Sequence, residues 1–517
     1  MLITDKQLLN YQRCNRRAFL DAYGDINQLD PASDFLLKLI RDSITYRQTI
    51  IEQQVYHQPY YPNGDWAAGA AETLNLMRQG VDCIYRGIIW QFEPSENEPE
   101  ISIENREIFD TVKHSFFPAN VTLLSRPHLL VKQPGKSNFG DWMYVPTDIW
   151  IAKRPKLDYQ IVAAFHSHVL ASVQGIMPDT AWLILREKGH YPVNLLQRLP
   201  EMQEILQQCI QMFEEKAEPD FFIARQKCNL CRWYSSCHGI AESEKHLSLL
   251  PGVTPARYAK LQTLNLTTVE SLALIQPELL INYREFEGEI AGQLVQQAQS
   301  KLQNQAMLRN TIIGKNKAED TITNYQLNLL PITPVEIYFD LEAEPELNLD
   351  YLQGVLVIDR WSKTETYHAF LAESPADEGI IWQQFLDLVW SYPIAPIFHF
   401  CDYEIQTVKR LARCYKTPAY QWQPLLKRFV DIHKQVTQIV TLPVESYALK
   451  PIARWMGFEW RDAQANGAQC VCWYDDWLRT GDRTFLDAIV RYNEDDCRAT
   501  YHVKDWLAHF IQNIQNI

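Results

Sequence analysis

Between two prolines, residues 334–345 read PVEIYFDLEAEP. Val335, Ile337, Phe339 and Leu341 alternate with Glu336, Tyr338, Asp340 and Glu342, the period of a strand with one apolar face. Such a strand must lay one face on a core, which commits the region around it to a sheet. Its other face ends in two carboxylates one strand period apart. A solvated edge running into a turn would explain the pair, and so would a divalent-metal site.

The residues that follow continue the sheet. GVLVIDR and ETYHAFLA read as second and third strands, EGIIWQQFLDLVW as a helix, and APIFHF as a short apolar strand. CDYEIQTVKRLARC comes next, and IVRYNEDDCRATYHVKDWL reads as a strongly amphipathic helix near the end. Three strands, a helix, a strand and a closing helix fit an RNase H-like α/β fold, a mixed sheet flanked by helices. On the last helix Tyr492 and Asp496 stand at i and i+4, on one face. Glu404 follows the FHFCDY strand end, with Asp402 and Asp431 as neighbouring alternatives.

A chain of 517 residues has room for two or three domains. The expected division is 1–240, mixed helix and strand; 241–330, helical and polar; and 331–517, the sheet region. In the middle part, Pro251-Gly252 sits between short helical patterns and Thr267-Thr268 offers a second helix cap. The pattern suggests a helix-hairpin-helix unit, whose turn amides can hold a phosphate, or a plain spacer. GQLVQQAQSKLQNQAMLRN reads as a long helix and GKNKAEDTITNYQLN as a connector.

The formal net charge of −14 argues against a generic basic coat for nucleic acid but leaves room for a local basic channel. TVKRLARCYK and Lys427-Arg428 are the densest basic stretches of the last third. No run of about 18 apolar residues points to a membrane span. The first residues lack a basic segment leading into an apolar core, so the expected location is cytoplasmic.

Eleven cysteines are too sparse for a disulfide scaffold, yet KCNLCRWYSSCHG places Cys228, Cys231 and Cys237 in one window. The first pair has metal-ligand spacing. A fourth ligand is either Cys14, in YQRCNRRAFL, or the local His238. One distant cysteine with a later trio resembles the iron–sulfur staple of RecB-like nucleases. That resemblance implies a [4Fe–4S] cluster on Cys14, Cys228, Cys231 and Cys237, with zinc or uncoordinated cysteines as the alternatives. Such a centre would cross-link the two ends of a domain.

The same family binds divalent metal through an acid and a D/E-x-K pair on adjoining strands, followed by Q-x3-Y on a helix. The corresponding segments here are LLSRPHLLVK, YVPTDIWIAKRP and IVAAFHSHVL. His128 stands in place of the first acid. Asp148 is present, but Trp150 occupies the lysine position, and Val162 and His166 replace the glutamine and tyrosine. A restriction-endonuclease-like scaffold with a broken catalytic set is expected, or else a different site built from His128, Asp148, His166 and His168. Lys153 is three positions along the strand from Trp150, on the wrong face for a simple exchange.

The D-x-E pair of Asp340 and Glu342, followed by Y-x3-D at Tyr492 and Asp496, resembles the DnaQ-like 3'–5' exonucleases. Their second motif ends in aspartate, where Glu404 stands here. Over nearly its full length the chain resembles a RecB-like nuclease family with a cysteine-ligated N-terminal domain and a C-terminal RNase H-like exonuclease domain. The resemblance implies two Mg²⁺ or Mn²⁺ ions on Asp340, Glu342, Glu404 and Asp496, with Tyr492 orienting water or phosphate. It also implies single-stranded DNA, or RNA, as partner, and 3'–5' hydrolysis as activity. An inactive nucleic-acid-binding or scaffold protein is the competing expectation, and a nuclease site around His128 and Asp148 is a third.

Overall fold

The computed structural model describes residues 1–91, 121–309, 330, 331 and 333–515. The connector expected at 314–328 lies outside them. The chain forms two compact units. Unit one comprises Met1–Phe221 with Arg225–Cys237; unit two comprises Phe222–Ala224 with His238–Ile517.

Unit one is built on two sheets. Strands β1 (Leu2–Thr4), β3 (Ile89–Trp90) and β4 (Thr122–Ser125) form one, in the order β1-β4-β3. The other runs β2-β5-β6-β7-β8, from β2 (Cys83–Tyr85), β5 (Leu129–Ser137), β6 (Gly140–Trp150), β7 (Ala181–Leu185) and β8 (Gly189–Val193). β5 and β6 pair antiparallel, and β6 and β7 parallel. Helices α1 (Asp5–Arg13), α2 (Asn15–Tyr23), α3 (Asp34–Ile51) and α4 (Trp66–Gln79) precede or interleave with the strands. Helix α5 (Leu157–Gln174) is apolar on all sides and buried from Tyr159 to Ala171, as a helix enclosed by other elements must be. It packs on β4 and β6 and on α6 (Leu195–Glu215). That position sets His166 and His168 inside the unit.

Unit two carries the Pro251-Gly252 turn between a short 3₁₀ segment (Leu247–Leu249) and α7 (Pro255–Thr263), with α8 (Val269–Ala273) after it. Gly252 has φ +89°, a conformation that needs glycine. Thr254 caps α7, and Thr268 caps α8 with a reciprocal bond to Ser271. Helix α9 (Ile290–Gln303) is shorter than the sequence suggests. Asn304 ends it in the left-handed conformation, and Met307–Leu308 (β9) leaves to pair with β15 (Val440–Thr441).

The sheet of unit two has the order β12-β11-β10-β13-β14, from β10 (Val335–Glu344), β11 (Leu349–Asp359), β12 (Thr364–Leu371), β13 (Ile397–His399) and β14 (Phe429–Asp431). The first three strands are antiparallel, and β10, β13 and β14 are parallel. Apolar side chains on both faces anchor separate cores. Phe339 and Val355 pack on α10 (Glu378–Ser391) and α11 (Tyr403–Cys414). Tyr338, Leu356 and Phe398 pack with α12 (Ile432–Ile439), α13 (Leu449–Trp455), α14 (Gly467–Thr480) and the closing helix α15 (Arg483–Gln515). The whole is an α/β architecture: mixed sheet and helices, a helical middle, then a mixed sheet flanked by helices.

Two features fix α15 on the sheet. Lys504 Nζ meets Glu336 Oε1 at 2.6 Å, and Arg360 bridges Glu336 and Asp505, also at 2.6 Å. Nearer the middle of the helix, Gly354 lies opposite Asp340 in the β10–β11 register. A Cβ there would overlap the Asn493 side chain. Glycine is required because the helix rides directly on the strand.

Candidate active site

Strand β10 delivers Asp340 and Glu342, and α15 delivers Asp496. One oxygen from each lies within 4.8 Å of the others. The β10–β11 register shifts between Glu342 and Ala343; such irregularities re-aim side chains at sites. Glu342 is buried, and Asp340 keeps some exposure.

The surrounding side chains hold these carboxylates in place. Asn493 Nδ2 donates to Asp340 Oδ2 at 2.7 Å, while Asn493 Oδ1 accepts from Tyr367 OH at 2.8 Å. Trp460 Nε1 donates to Asp496 Oδ1 at 2.7 Å. Tyr492 also hydrogen-bonds Asp496, and Cys470 and Asn493 hydrogen-bond Glu342. Lys450 supplies a positive charge near Asp496 while its ammonium donates to the Ala465 carbonyl.

Electrostatically the cluster is frustrated. Burial, then Asp496, Glu342 and Glu404, push the Asp340 carboxyl well above its ordinary range. Burial and Asp496 do the same to Glu342, and burial lifts Asp496 to about 6. Hydrogen bonds from Trp460 and Tyr492 offset part of that rise at Asp496. Carboxylates gathered this closely become comfortable either by taking protons or by sharing cations.

Glu404, in the first turn of α11, does not join the converging oxygens. It is buried, its Oε2 lies 3.3 Å from His399 Nδ1, and its charge reaches Asp340. Of its alternatives, Asp431 caps α12 by accepting from the Lys434 N–H, and Asp402 is exposed. Sequence reading missed Asn493, Trp460, Cys470 and Lys450. Asn493 carries a usable signal, because it stands between Tyr492 and Asp496 on the same helix. The other three arrive from elements distant in sequence and carry none.

The cysteine reading needs correction. Among the described residues, ligand atoms close enough to share an ion occur at Asp340–Glu342–Asp496 and at His238–Glu242–Glu445, and no cysteine set is among them. Cys14, Cys228, Cys231 and Cys237 form no disulfide, and they do not assemble a [4Fe–4S] or zinc centre. Cys14 Sγ instead caps α2, accepting from the Arg17 N–H at 3.4 Å. Burial raises the thiols of Cys231 and Cys237, which favours the protonated form over the thiolate a metal needs. The early and late segments of unit one are joined by other means. Trp233 Nε1 donates to Asp21 at 2.8 Å, Arg232 Nε to the Asp30 carbonyl at 2.8 Å, and the Ser235 N–H to Asp30 Oδ2 at 2.9 Å. His238 faces Glu445 at 3.0 Å and Glu242 at 3.5 Å.

In unit one, Asp148 sits on β6 between two histidines. His128 Nδ1 is 2.9 Å from Oδ1, and His166 Nε2 is 3.3 Å from Oδ2. His166 Nδ1 also meets Ser125 Oγ at 2.6 Å. Burial alone would raise the Asp148 carboxyl, but His166 and His128 overcome it and hold it far below the ordinary range. Burial depresses His166, and Asp148 more than restores it. Burial pushes His168 down to about 4. Trp150 stacks on Tyr159 at 4.0 Å, Val162 is buried in α5, and Lys153 pairs with Glu187 at 2.9 Å. Asp148 Oδ2 and Trp150 Nε1 are buried without a hydrogen-bond partner.

No curated protein sequence matches the chain. Among the described residues, no helix is long and apolar enough to cross a membrane. Residues 337–508, which carry the converging carboxylates, match the family model of the RNase_H superfamily.

Proposed function

We propose that unit two is a metal-dependent nuclease that hydrolyses phosphodiester bonds at Asp340, Glu342 and Asp496. The observation that carries this reading is the convergence of three carboxylates on an RNase H-like sheet, with all three carboxyls raised. An all-oxygen donor set fits Mg²⁺ or Mn²⁺ rather than a soft metal. A pair of such ions supplies a water of lowered pKa and offsets charge on the leaving oxygen. Asp340, Glu342 and Asp496 would hold them, with Glu404 as the fourth carboxylate after a local side-chain shift away from His399. Trp460 and Asn493 keep the Asp496 and Asp340 oxygens aimed. The Tyr492 hydroxyl, tethered to Asp496, is placed to orient the attacking water or the phosphate. Lys450 restrains the negative field beside Asp496.

By its likeness to the DnaQ-like pattern, the activity is a 3'–5' exonuclease on single-stranded DNA or RNA that releases nucleoside 5'-monophosphates. Unit one is then a nuclease-like scaffold whose own catalytic set has been replaced by the His128–Asp148–His166 pairing and the Trp150–Tyr159 stack. The test is digestion of 5'- and 3'-labelled single strands of DNA and RNA with Mg²⁺ or Mn²⁺. Metal-dependent shortening from the 3' end is expected. Pure protein that leaves every strand intact with either ion overturns the reading.

A further inference from the structure

Unit one carries a cleft of about 490 Å³. Arg47, Arg86, Arg126 and His128 line it together with Tyr60 and Trp66, and Asp5 is the carboxylate among its lining residues. Three guanidinium groups facing one acid make a positive concavity on a chain of net charge −14. The volume falls in the range of small-molecule sites.

The cations there are incompletely used. Arg126 lies over the Trp66 ring, 5.1 Å from its centroid, and its Nε reaches Asp5 Oδ1 only at 3.6 Å. Nε of both Arg126 and Arg47 is buried without a hydrogen-bond acceptor. Arg86 is exposed and held at φ +56° by a bond from its N–H to the His128 carbonyl, 3.0 Å away. A non-glycine residue held left-handed at a cleft is strain that the surrounding structure must support. Tyr60 is 94% exposed, a bare aromatic face beside these cations.

We propose that this cleft binds the phosphomonoester of a nucleotide, its phosphate on Arg47, Arg86 and Arg126 and its base against Tyr60 and Trp66. Guanidinium forks match phosphate oxygens in shape and charge. A phosphomonoester carries close to two negative charges at neutral pH, which suits three arginines opposed by one carboxylate. Flat aromatic side chains stack on any base. The same chemistry is offered by a free nucleoside monophosphate and by the phosphorylated end of a single strand. This inference stands independently of the reading of the acidic site.

Calorimetric titration of the full chain in EDTA tests it, because EDTA keeps divalent ions from bringing phosphates to Asp340, Glu342 and Asp496. The probes are AMP, adenosine, and an adenine decanucleotide with and without a 5'-phosphate. AMP should bind and adenosine should not. Arg47→Gln, Arg126→Gln and Arg86→Gln should each weaken AMP about tenfold or more, the loss of one charged hydrogen-bonding partner. If either buried arginine variant melts early, exposed Arg86→Gln decides. A decamer that binds more tightly than AMP, and only when phosphorylated, assigns the strand end; equal affinities assign the free nucleotide. Equal binding of AMP and adenosine, no binding of either phosphorylated probe, or unchanged AMP affinity in Arg86→Gln overturns the proposal.

Discussion

Asp148 and Asp340 both sit on strands that a helix packs against, α5 and α15, and their surroundings are opposites. Asp148 is enclosed by His128 and His166, and its carboxyl is driven far down. Asp340 is enclosed by Glu342, Asp496 and the field of Glu404, and its carboxyl is driven up. A buried charge that finds its counter-charge inside the protein is structural. One surrounded by its own kind stores electrostatic cost that only protons or cations relieve. On the proposed reading, the contrast separates an acid used for folding from an acid kept for chemistry, and neither burial nor residue type alone would do so.

The strongest test is a pair of isosteric changes. Asp340→Asn should lower nuclease activity by about a thousandfold or more, since it removes a metal-ligating charge while keeping the side chain's size. The same change should raise the melting temperature of the metal-free protein, because it relieves repulsion. Asp148→Asn should do the reverse. Activity should stay within about twofold, while stability falls by about 3–5 kcal/mol, the usual cost of orphaning a buried charge partner such as His166. Rates on a labelled strand and melting curves in EDTA read both. If Asp148→Asn abolishes cleavage and Asp340→Asn spares it, the two roles are exchanged.

Tyr492 sharpens the comparison within the acidic site. Tyr492→Phe keeps the ring between Lys450 and the carboxylates but removes the hydroxyl that reaches Asp496. A loss of about a hundredfold in kcat is expected, typical of one oriented transition-state contact, with metal affinity nearly unchanged. Wild-type kcat in this variant would reduce Tyr492 to packing.

The contrast was partly legible in the sequence. Period-two alternation from Val335 to Leu341 places β10 correctly, since Ile337, Phe339 and Leu341 lie on one core, but it hides that the opposite face is buried as well, with Tyr338 in a second core and Glu336 enclosed. The i, i+4 pair of Tyr492 and Asp496 is the helical counterpart of that pattern. Glu404 was harder, because its position in the first turn of α11 is clear while its tie to His399 depends on side-chain rotamers that no spacing encodes. The cysteine trio misled. C-x2-C spacing describes chain distance, whereas ligation needs convergence, and here Cys14 caps a helix while Trp233 and Arg232 make the closing bonds. In the sequence Asp148 was either the remnant of a broken catalytic set or part of a different site with His128, His166 and His168. Only the geometry shows that the raised His166 is its counter-charge, while the His128 backbone N–H donates to its Oδ1 at 3.2 Å. The Arg47–Arg86–Arg126 cleft had no sequence signal, because its cations come from a helix, a turn and a strand end.

The smallest expected effect is a pH slope, and it distinguishes the two sites by sign. In the metal-free protein, Asp340, Glu342 and Asp496 hold protons more tightly when folded than when unfolded, where carboxyls titrate near 4. Between about pH 4 and the folded value, about 6 for Asp496, the native state is therefore the more protonated. Their contribution to stability must fall as pH rises through that window, by up to about 1.4 kcal/mol per pH unit for each proton. Asp148 runs the other way: its stabilising contribution is present above about pH 4 and is lost only as pH falls towards its depressed folded value. The raised His166 contributes fully below about 6.5 and loses its contribution as pH climbs through its folded value. From pH 4.5 to 6 the depressed His128 and His168 add a slope of the opposite sign to wild type and Asp340→Asn alike, so the difference between the two proteins over that interval reads the acidic cluster. Chemical denaturation across it should give a steeper loss of stability for the wild type than for Asp340→Asn. Saturating Mg²⁺ or Mn²⁺ should flatten the wild-type slope, because cations favour the deprotonated carboxylates, and should leave the Asp340→Asn curve nearly unmoved. Parallel curves for the two proteins, with and without metal, would mean that these carboxyls are not perturbed and that the acidic site is no more charged with stored cost than Asp148.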